Sequence, residues 1–332
     1  MKKEIKRVVV TGGAGAIAYN LLFLIGEGDL FGKEQPIALH ILEIPELIKV
    51  AEGVKMELED CLFPLLKEIH IGSDPFEMFK DADVAILVGA KPRTLGMERG
   101  DLLASNAKIF IEHGKALDAV AKRNVLVFVV GNPCNTNCLI TLNNAPSLPK
   151  SNFHAMTRLD HNRAIHLLAK KAKVEVTDIM QMTIWGNHSS TQVADYSNAT
   201  ICGKKAMDVV KDRQWLEGEF IPKIQKRGAE VIACRGKSSA ASAAVAIVLA
   251  VQDLTTPTKS GQWYSSAMFS EGNPYEIDQG LIFSFPCRTL LDGSFEIIKG
   301  LSIDPFILEK IKLSEKELIE ERALVQNNCL KV

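Results

Sequence analysis

The sequence has almost no net charge and no apolar run long enough to cross a membrane. Its 332 residues carry 39 Lys and Arg against 40 Asp and Glu, a formal net charge of -1 at pH 7. Without a basic surplus to neutralise phosphates, we expect no nucleic-acid partner and no anionic membrane surface. The longest apolar run, 240–251, has about twelve residues, whereas a transmembrane helix needs about twenty. We therefore expect a buried helix there and no membrane association.

The chain also lacks the cysteine spacings of metal and disulfide proteins. Its seven cysteines are odd in number and include no Cys-x-x-Cys pair. Cys134 and Cys138 lie closest together, but no histidine accompanies them as a further metal ligand. The basic N-terminus runs into an apolar stretch too short for an export signal. These features predict a cytoplasmic protein without a metal site or a disulfide framework.

The first 150 residues alternate strand-like and helical patterns. Near-continuous runs of Val, Ile and Leu, typical of strands buried on both faces of a parallel sheet, lie at 7–12, 37–43, 83–90 and 125–132. Helical periodicity follows at 16–27, 47–61 and 106–123. The alternation predicts an α/β fold with a Rossmann-type doubly wound parallel sheet, which we expect to end near residue 150.

The second half mixes helices and strands less regularly. The pattern predicts helices at 157–173, 213–234, 239–252 and from 305 onward, and strands at 179–185, 262–269, 281–287 and 294–300. This arrangement indicates an α+β domain. We expect two domains, a nucleotide-binding domain over 1–155 and a catalytic domain over 156–332.

A glycine-rich turn follows the first predicted strand. It has the spacing Gly-x-x-Gly-x-x-Ala, which departs from the strict Gly-x-Gly-x-x-Gly fingerprint, but it lies between a strand and a helix. Glycines at such a turn let backbone amides approach a pyrophosphate. The turn therefore predicts dinucleotide contacts from Gly12, Gly13, Ala14, Gly15, Ala16, Ile17 and Ala18.

Glu43 ends the second predicted strand. A carboxylate there can accept hydrogen bonds from ribose hydroxyls and would repel a 2′-phosphate, which favours NAD over NADP. An ordinary exposed glutamate in a loop is the alternative.

Charged groups recur after the later strands. Arg93 and Arg99 lie in "KPRTLGMERGDLL" and could either clamp carboxylates or belong to a solvated basic loop. Asp160 and Arg163 are three residues apart in "TRLDHNR", on one helix face, where a surface ion pair is the alternative. His188, in "IWGNHSSTQ", is either a proton carrier or a loop residue with a satisfied hydrogen bond.

Five motifs in fixed order give a specific resemblance. They are "GGAGAIAYN", "LVGAKPRTLGMERGDLL", "VVGNPCNTN", "TRLDHNR" and "IWGNHSSTQ", and the likeness continues in "RGKSSAASAA" and "YSSAMFSEGNPY". Nearly the whole chain thus resembles the malate dehydrogenases, in particular the cytoplasmic type, within the lactate and malate dehydrogenase superfamily.

The resemblance implies a role for each polar residue. His188 would transfer the proton, and Asp160 would orient its ring and stabilise the imidazolium. Arg163 would hold the C1 carboxylate of the substrate, Arg99 would polarise the C2 carbonyl, and Arg93 would bind the distal carboxylate. The implied reaction is reversible hydride transfer between malate and NAD, giving oxaloacetate and NADH, as in the tricarboxylic acid cycle. His154 and His161 would be structural or exposed.

The resemblance also implies further contacts with substrate, cofactor and a second subunit. Asn132 would line the site beside the substrate, with a cis peptide bond to Pro133, and the cofactor would contact Asn106, His113, Val130, Gly131 and Asn132. Ala16 and His113 depart from the family, which usually has glutamine at both positions. The helix in "VKMELEDCLFPLL" would pair two subunits into a homodimer. A catalytically silent NAD sensor and a dehydrogenase for another 2-hydroxy acid, such as lactate, are the alternatives.

Overall fold

A computed structural model describes residues 3–91 and 99–328, and its first half alternates strands and helices as predicted. The strands of this half are β1 (Lys6–Thr11), β2 (Ile37–Leu42), β3 (Leu66–Gly72), β4 (Val84–Leu87), β5 (Leu126–Val129) and β6 (Phe153–Ala155). The helices are α1 (Ala16–Glu27), α2 (Ile48–Asp60), the single turn α3 (Pro75–Met78), α4 (Arg99–Val120) and α5 (Cys134–Asn143). The three predicted helices correspond to α1, α2 and α4.

The second half contains most of the predicted elements in shorter pieces. Its helices are α6 (Arg158–Ala172), α7 (Ala206–Val210), α8 (Arg213–Trp215), α9 (Ile221–Arg235), α10 (Ala241–Thr255) and α11 (Pro305–Asn328). Its strands are β7 (Ile179–Met180), β8 (Thr183–Trp185), β9 (Val193–Asp195), β10 (Thr200–Ile201), β11 (Lys204–Lys205), β12 (Tyr264–Phe269), β13 (Ile282–Thr289) and β14 (Phe295–Ile297). The predicted strand 179–185 is divided at Gln181, whose φ of 59° interrupts an extended chain. As a result β7 pairs with β10, and β8 pairs with β9.

One nine-stranded sheet runs through both halves, in the order β14-β13-β12-β6-β5-β4-β1-β2-β3. The strands β1 to β6 are parallel, and β12 joins the free edge of β6 in the antiparallel sense, with Ala267 opposite Ala155. The prediction that the sheet ends near residue 150 is therefore wrong. An uncovered β6 would leave a row of backbone N–H and C=O groups without partners, and β12 supplies them.

The strands follow the burial that their sequences predict. Val8, Val9 and Val10 are completely buried, consistent with a strand covered on both faces, and each such side chain contributes about 1.5–3 kcal/mol. The sequence pattern predicts no strand at β3, "LKEIHIG", because two consecutive charged residues, Lys67 and Glu68, interrupt the apolar alternation of this edge strand. β1 lies between β2 and β4, so the strand order reverses beside it. Such a reversal opens a ligand-binding crevice at the carboxyl ends of the strands.

The apolar segment near residue 245 forms α10, which packs against α1 and α6. Ala244, Ala246, Ile247 and Val251 are completely buried. The prediction of a buried helix is thus confirmed. Over the ranges 3–91 and 99–328, no helix combines the length and apolar character needed to span a bilayer.

Candidate active site

The turn between β1 and α1 borders the crevice with glycines, whose backbone is not covered by side chains. Gly12 has a φ of 67°, and a Cβ atom there would lie 2.6 Å from the Cα of Gly89, on the segment that follows β4. A Cβ on Gly13 would lie 2.0 Å from Cγ2 of Ile41. No side chain caps α1 at Gly15, so the N–H groups of its first turn can receive an anion. These residues fit the pyrophosphate of a dinucleotide.

Glu43 lies directly beside this turn. Its side chain is buried, and Oε2 accepts a hydrogen bond of 2.8 Å from the backbone N–H of Ala14. Oε1 accepts one of 2.9 Å from the N–H of Ile44. The alternative of an exposed loop glutamate is therefore wrong, because both carboxylate oxygens are fixed at the glycine turn.

Three charged residues from α6 and the segment after β8 meet in the second half. Nδ1 of His188 lies 2.6 Å from Oδ2 of Asp160, and NH1 of Arg163 lies 2.9 Å from Oδ1 of the same carboxylate. The Asp160 side chain is 0% exposed. A surface ion pair is therefore excluded for Asp160 and Arg163, because the Asp160 carboxylate, which Arg163 shares with His188, is buried.

Burial and charge oppose each other at this pair. Burial lowers the pKa of His188, but the charge of Asp160 and the hydrogen bond to it outweigh burial and leave the pKa above 6.5. Burial raises the pKa of Asp160, yet His188, Arg163 and a hydrogen bond from Gln192 leave that pKa below 3.8. The geometry thus favours an imidazolium beside an ionised carboxylate, which suits a group that donates a proton.

A cleft of about 300 Å³ connects the two halves at this point. Ile17, Val130 and Asn132 line it from the first half. From the second half the lining includes His188, Asp160, Arg163, Gln192, Ser239 and Ile232. The predicted cofactor segment and the charged triad therefore face one shared space.

The peptide bond between Asn132 and Pro133 is cis, as the resemblance implies. The helix α5 begins just after it, and the side chain of Asn135 reaches the loop that carries His188. Oδ1 of Asn135 accepts a hydrogen bond of 3.0 Å from the backbone N–H of His188, while Nδ2 donates to the carbonyl of Ile282 at 2.9 Å. Sequence reasoning missed Asn135, although it lies inside the quoted motif "VVGNPCNTN".

Gln192 and Ser239 were also missed, although both lie in quoted motifs. Gln192 is buried at the cleft, and Oε1 of its amide has no hydrogen-bond partner in the described structure. NH2 of Arg163 lies 3.4 Å from Oγ of Ser239. Their residue types alone do not indicate a functional site, because Gln and Ser are common in ordinary loops.

Two predicted cofactor residues, Asn106 and His113, are buried and are not among the residues that line the cleft. The side chain of Asn106 is fully buried, where Oδ1 accepts a hydrogen bond of 2.8 Å from the N–H of Lys91. The ring of His113 packs edge-on against Phe79 and Phe110, and burial lowers its pKa to about 4. Contact of either side chain with the cofactor stays a prediction.

The remaining histidines of interest are structural, as predicted. Nδ1 of His154 lies 2.9 Å from Oγ of Ser266, and burial lowers the pKa of His154 to about 3. Nδ1 of His161 lies 2.8 Å from Oγ of Ser265, and burial likewise lowers its pKa. Both rings are buried.

Two arginines predicted to bind substrate, Arg93 and Arg99, follow β4 in the sequence. Arg93 lies outside the described residues. Arg99 begins α4, but its side chain also lies outside them. In the sequence both arginines follow β4, whose carboxyl end borders the crevice.

Comparison with known proteins identifies the family. The model of the lactate/malate dehydrogenase NAD binding domain matches residues 6–154, and that of the lactate/malate dehydrogenase alpha/beta C-terminal domain matches residues 157–328. The malate dehydrogenase of Protochlamydia amoebophila (strain UWE25) is 57% identical over 327 residues, covering 98% of this chain and 99% of that protein. The chloroplastic NADP malate dehydrogenase of Mesembryanthemum crystallinum is 53% identical over 320 residues, covering 96% of this chain and 73% of its own length.

A solved structure agrees with these relatives. The crystal structure of malate dehydrogenase from Naegleria fowleri superposes with a TM-score of 0.95 at 45% identity, covering 99% of this chain and all of that one. The expected Rossmann-type fold is confirmed, and so is the resemblance drawn from the five motifs. The chain therefore belongs to the lactate/malate dehydrogenase family and, within it, to the malate dehydrogenases.

Proposed function

We propose that the protein is an NAD-dependent malate dehydrogenase that interconverts malate and oxaloacetate by reversible hydride transfer. The observation that carries the proposal is the triad of His188, Asp160 and Arg163 in the same cleft as Ile17 and Asn132. A proton carrier, its carboxylate partner and a substrate-binding guanidinium thus face the segments that would hold the cofactor. A catalytically silent NAD sensor would have no need of this arrangement.

The nicotinamide cofactor supplies the hydride chemistry when it is bound. The chain's own contribution to proton transfer is His188. Because Nδ1 faces Asp160, Nε2 is the nitrogen that exchanges a proton with the C2 oxygen of the substrate. In malate oxidation it accepts the hydroxyl proton, and in oxaloacetate reduction it returns that proton.

Arginines bind and polarise the substrate in this proposal. Arg163, which donates a hydrogen bond to Asp160 through one terminal nitrogen, would bind the C1 carboxylate with the rest of its planar guanidinium. Arg99 would polarise the reacting C2 carbonyl, and Arg93 would bind the distal carboxylate. Asn132 would contact the substrate oxygen from the opposite wall of the cleft.

Removal of the Asp160 charge should shift the pH dependence of kcat both for malate oxidation and for oxaloacetate reduction. In Asp160→Asn the burial of His188 is no longer opposed, so its pKa falls. Reduction needs the imidazolium and loses rate as pH rises through the pKa, so its alkaline limb moves to lower pH. Oxidation needs the neutral ring, so its acid limb also moves to lower pH. We expect reduction at pH 7 to fall about 10- to 100-fold, measured as kcat against pH.

Asp208→Asn, at an exposed position of α7, is the matched control and should leave both profiles unchanged. If Asp160→Asn changes the rate but leaves both limbs at their wild-type pH, Asp160 does not set the protonation of His188.

The buried carboxylate of Glu43 supports the preference for NAD. It lies at the glycine turn, where it would face the adenosine ribose, and a 2′-phosphate there would meet a like charge. Like charges brought together at a binding site cost several kcal/mol. In the sequence no Lys or Arg follows Glu43 before Lys49, so the segment directly after Glu43 offers no cation to a phosphate. Some relatives are named for NADP, so the preference is tested directly on the unmodified protein.

We expect the wild-type protein to use NADH about 100-fold or more better than NADPH in kcat/KM. Glu43→Ser combined with Ile44→Arg should remove most of that preference, because it deletes the carboxylate and adds a cation at an exposed position. The measurement is kcat/KM for both cofactors with saturating oxaloacetate.

Glu46→Ser combined with Leu47→Arg makes the same change of charge three residues further on and should keep the wild-type preference. Comparable use of NADH and NADPH by the unmodified protein would overturn the assignment of Glu43.

The proposal extends to a cytoplasmic homodimer that meets through α2. This helix exposes Val50 and Met56, which are 49% and 62% accessible, as an apolar surface that a second copy could cover. Six cysteines in the described ranges are free thiols, which suits a reducing compartment. Analytical sedimentation of wild type and of Met56→Glu measures the oligomeric state. The wild type should sediment as a dimer, and the charge introduced on α2 should weaken that dimer.

A further inference from the structure

One face of the C-terminal helix α11 lies against the loop 186–191, which we call the histidine loop because it carries His188. The face is formed by Ser314, Glu317 and Glu321, spaced three and four residues apart and therefore aligned on the helix. Ser314 is completely buried and Glu321 is 2% exposed. Polar side chains thus occupy positions where a packing role alone would favour apolar ones.

Glu317 gathers the side chains of the loop on one oxygen. Its Oε2 accepts a hydrogen bond of 2.5 Å from the Ser189 hydroxyl and one of 3.0 Å from the amide of Asn187. The Thr191 hydroxyl lies 2.7 Å from the same atom. Residues on both sides of His188 are therefore hydrogen-bonded to one carboxylate. Such bonds hold the loop firmly, because hydrogen bonds to charged groups are about twice as strong as neutral ones.

Ser314 fixes the start of the loop through the backbone. Its Oγ accepts a hydrogen bond of 2.8 Å from the N–H of Asn187. Gly186 has a φ of 92°, and a Cβ there would lie 2.1 Å from Oγ of Ser314. The absence of a side chain at Gly186 is what permits α11 to approach this closely.

Glu321 links the same loop to the start of α5. It accepts a hydrogen bond of 3.1 Å from the amide of Asn187 and another from the hydroxyl of Thr136. Thr136 is adjacent to Asn135, which binds the backbone N–H of His188. The loop is thus held from two sides, by α11 through side chains and by α5 through the peptide of His188 itself.

We propose that Glu317 is a positioning residue for proton transfer, which keeps the His188 ring against Asp160 by fixing the loop on both sides of it. The proposal rests on the role of His188 given above. Glu317 does not touch the cleft, so it acts only through the geometry of the loop. A misplacement of about 1 Å at a reacting group can cost about 100-fold in rate.

The test compares Glu317→Ala and Glu317→Gln with Glu320→Ala. Glu320 lies on the same helix and is exposed, so its replacement makes the same change of residue away from the loop. We expect Glu317→Ala to lower kcat for oxaloacetate reduction about 10- to 100-fold, with NADH affinity within about twofold of wild type. Glu317→Gln keeps one acceptor oxygen and should restore part of the rate. Glu320→Ala should behave as wild type.

The pH profile separates positioning from general loss of stability. If the His188 ring moves away from Asp160, its pKa falls, and the alkaline limb of reduction moves to lower pH in Glu317→Ala. A loss of folded protein would lower the rate at every pH without moving the limb. A kcat and a limb that both match wild type would overturn the proposal, as would a lower kcat with an unmoved limb.

Thr191→Val provides the same test from the loop side if Glu317→Ala does not fold. Valine keeps the shape of threonine but removes the hydroxyl next to Glu317. We therefore expect kcat to fall less than in Glu317→Ala, and the alkaline limb of reduction to move to lower pH as in that variant. The two proposals fail separately. If His188→Ala stays active, both the role of His188 and this inference are overturned. If His188→Ala is inactive but Glu317→Ala and Thr191→Val behave as wild type, only the positioning role of Glu317 is overturned.

Discussion

His188→Ala should keep NADH binding and lose most oxaloacetate reduction, with a fall in kcat of about 10²- to 10⁴-fold. In the proposed function the imidazole is the proton carrier, and its Nδ1 lies 2.6 Å from the Asp160 carboxylate while the ring lines the cleft. The hydrogen bond between the glycine turn and Glu43 does not involve His188 and should persist. The measurements are kcat from NADH absorbance and the NADH dissociation constant from fluorescence.

His166→Ala is the matched control, because His166 lies exposed on α6, the helix that carries Asp160. It should leave both quantities unchanged. Retention of more than half of the wild-type kcat by His188→Ala would show that this histidine is not the acid. His161 would then be the next residue to test, although its Nδ1 is held by Ser265 away from the cleft.

Arg93→Gln should remove most of the preference for oxaloacetate over pyruvate. Oxaloacetate carries two carboxylates, to which the proposed function assigns Arg163 and Arg93, whereas pyruvate carries one. With pyruvate bound, Arg93 would lack a partner, and an unpaired charge in a closed site costs about 3–5 kcal/mol. Allowing for partial solvation, we use about 2–4 kcal/mol, or roughly 30- to 1000-fold in kcat/KM. The change should come chiefly from lower activity on oxaloacetate.

Arg99→Gln provides the contrast, because a residue that polarises the shared C2 carbonyl should slow both substrates alike. The measurement is kcat/KM for both 2-oxo acids in wild type and both variants at one pH. A ratio in Arg93→Gln that stays within about threefold of wild type, far short of the change expected here, would show that Arg93 does not bind the distal carboxylate.

The sequence predicts those parts of the site that depend on neighbouring residues. The glycine turn is recognisable because it joins a buried strand to a helix, and Glu43 because it ends the next strand. The pairing of Asp160 with His188 joins residues far apart in the chain, and only the resemblance indicated it. The 2.6 Å distance between them is a property of the fold that no local pattern contains.

Long-range contacts account for what the sequence did not predict. A glutamate on a charged C-terminal helix is typical of a solvated face, so nothing marked Glu317 as a partner of the loop around His188. The addition of β12 to the free edge of β6 depends equally on tertiary pairing. His113 and Asn106 show the converse, because both come from the expected segment of α4 but are buried and do not line the cleft.

The central claim, that the cleft reduces a two-carboxylate 2-oxo acid with NADH, is tested most directly by one assay on the unmodified protein. Oxidation of NADH is followed with oxaloacetate and with pyruvate, side by side at one pH. We predict that kcat/KM for oxaloacetate exceeds that for pyruvate by roughly 30-fold or more. Equal values, or a preference for pyruvate, would contradict the assignment.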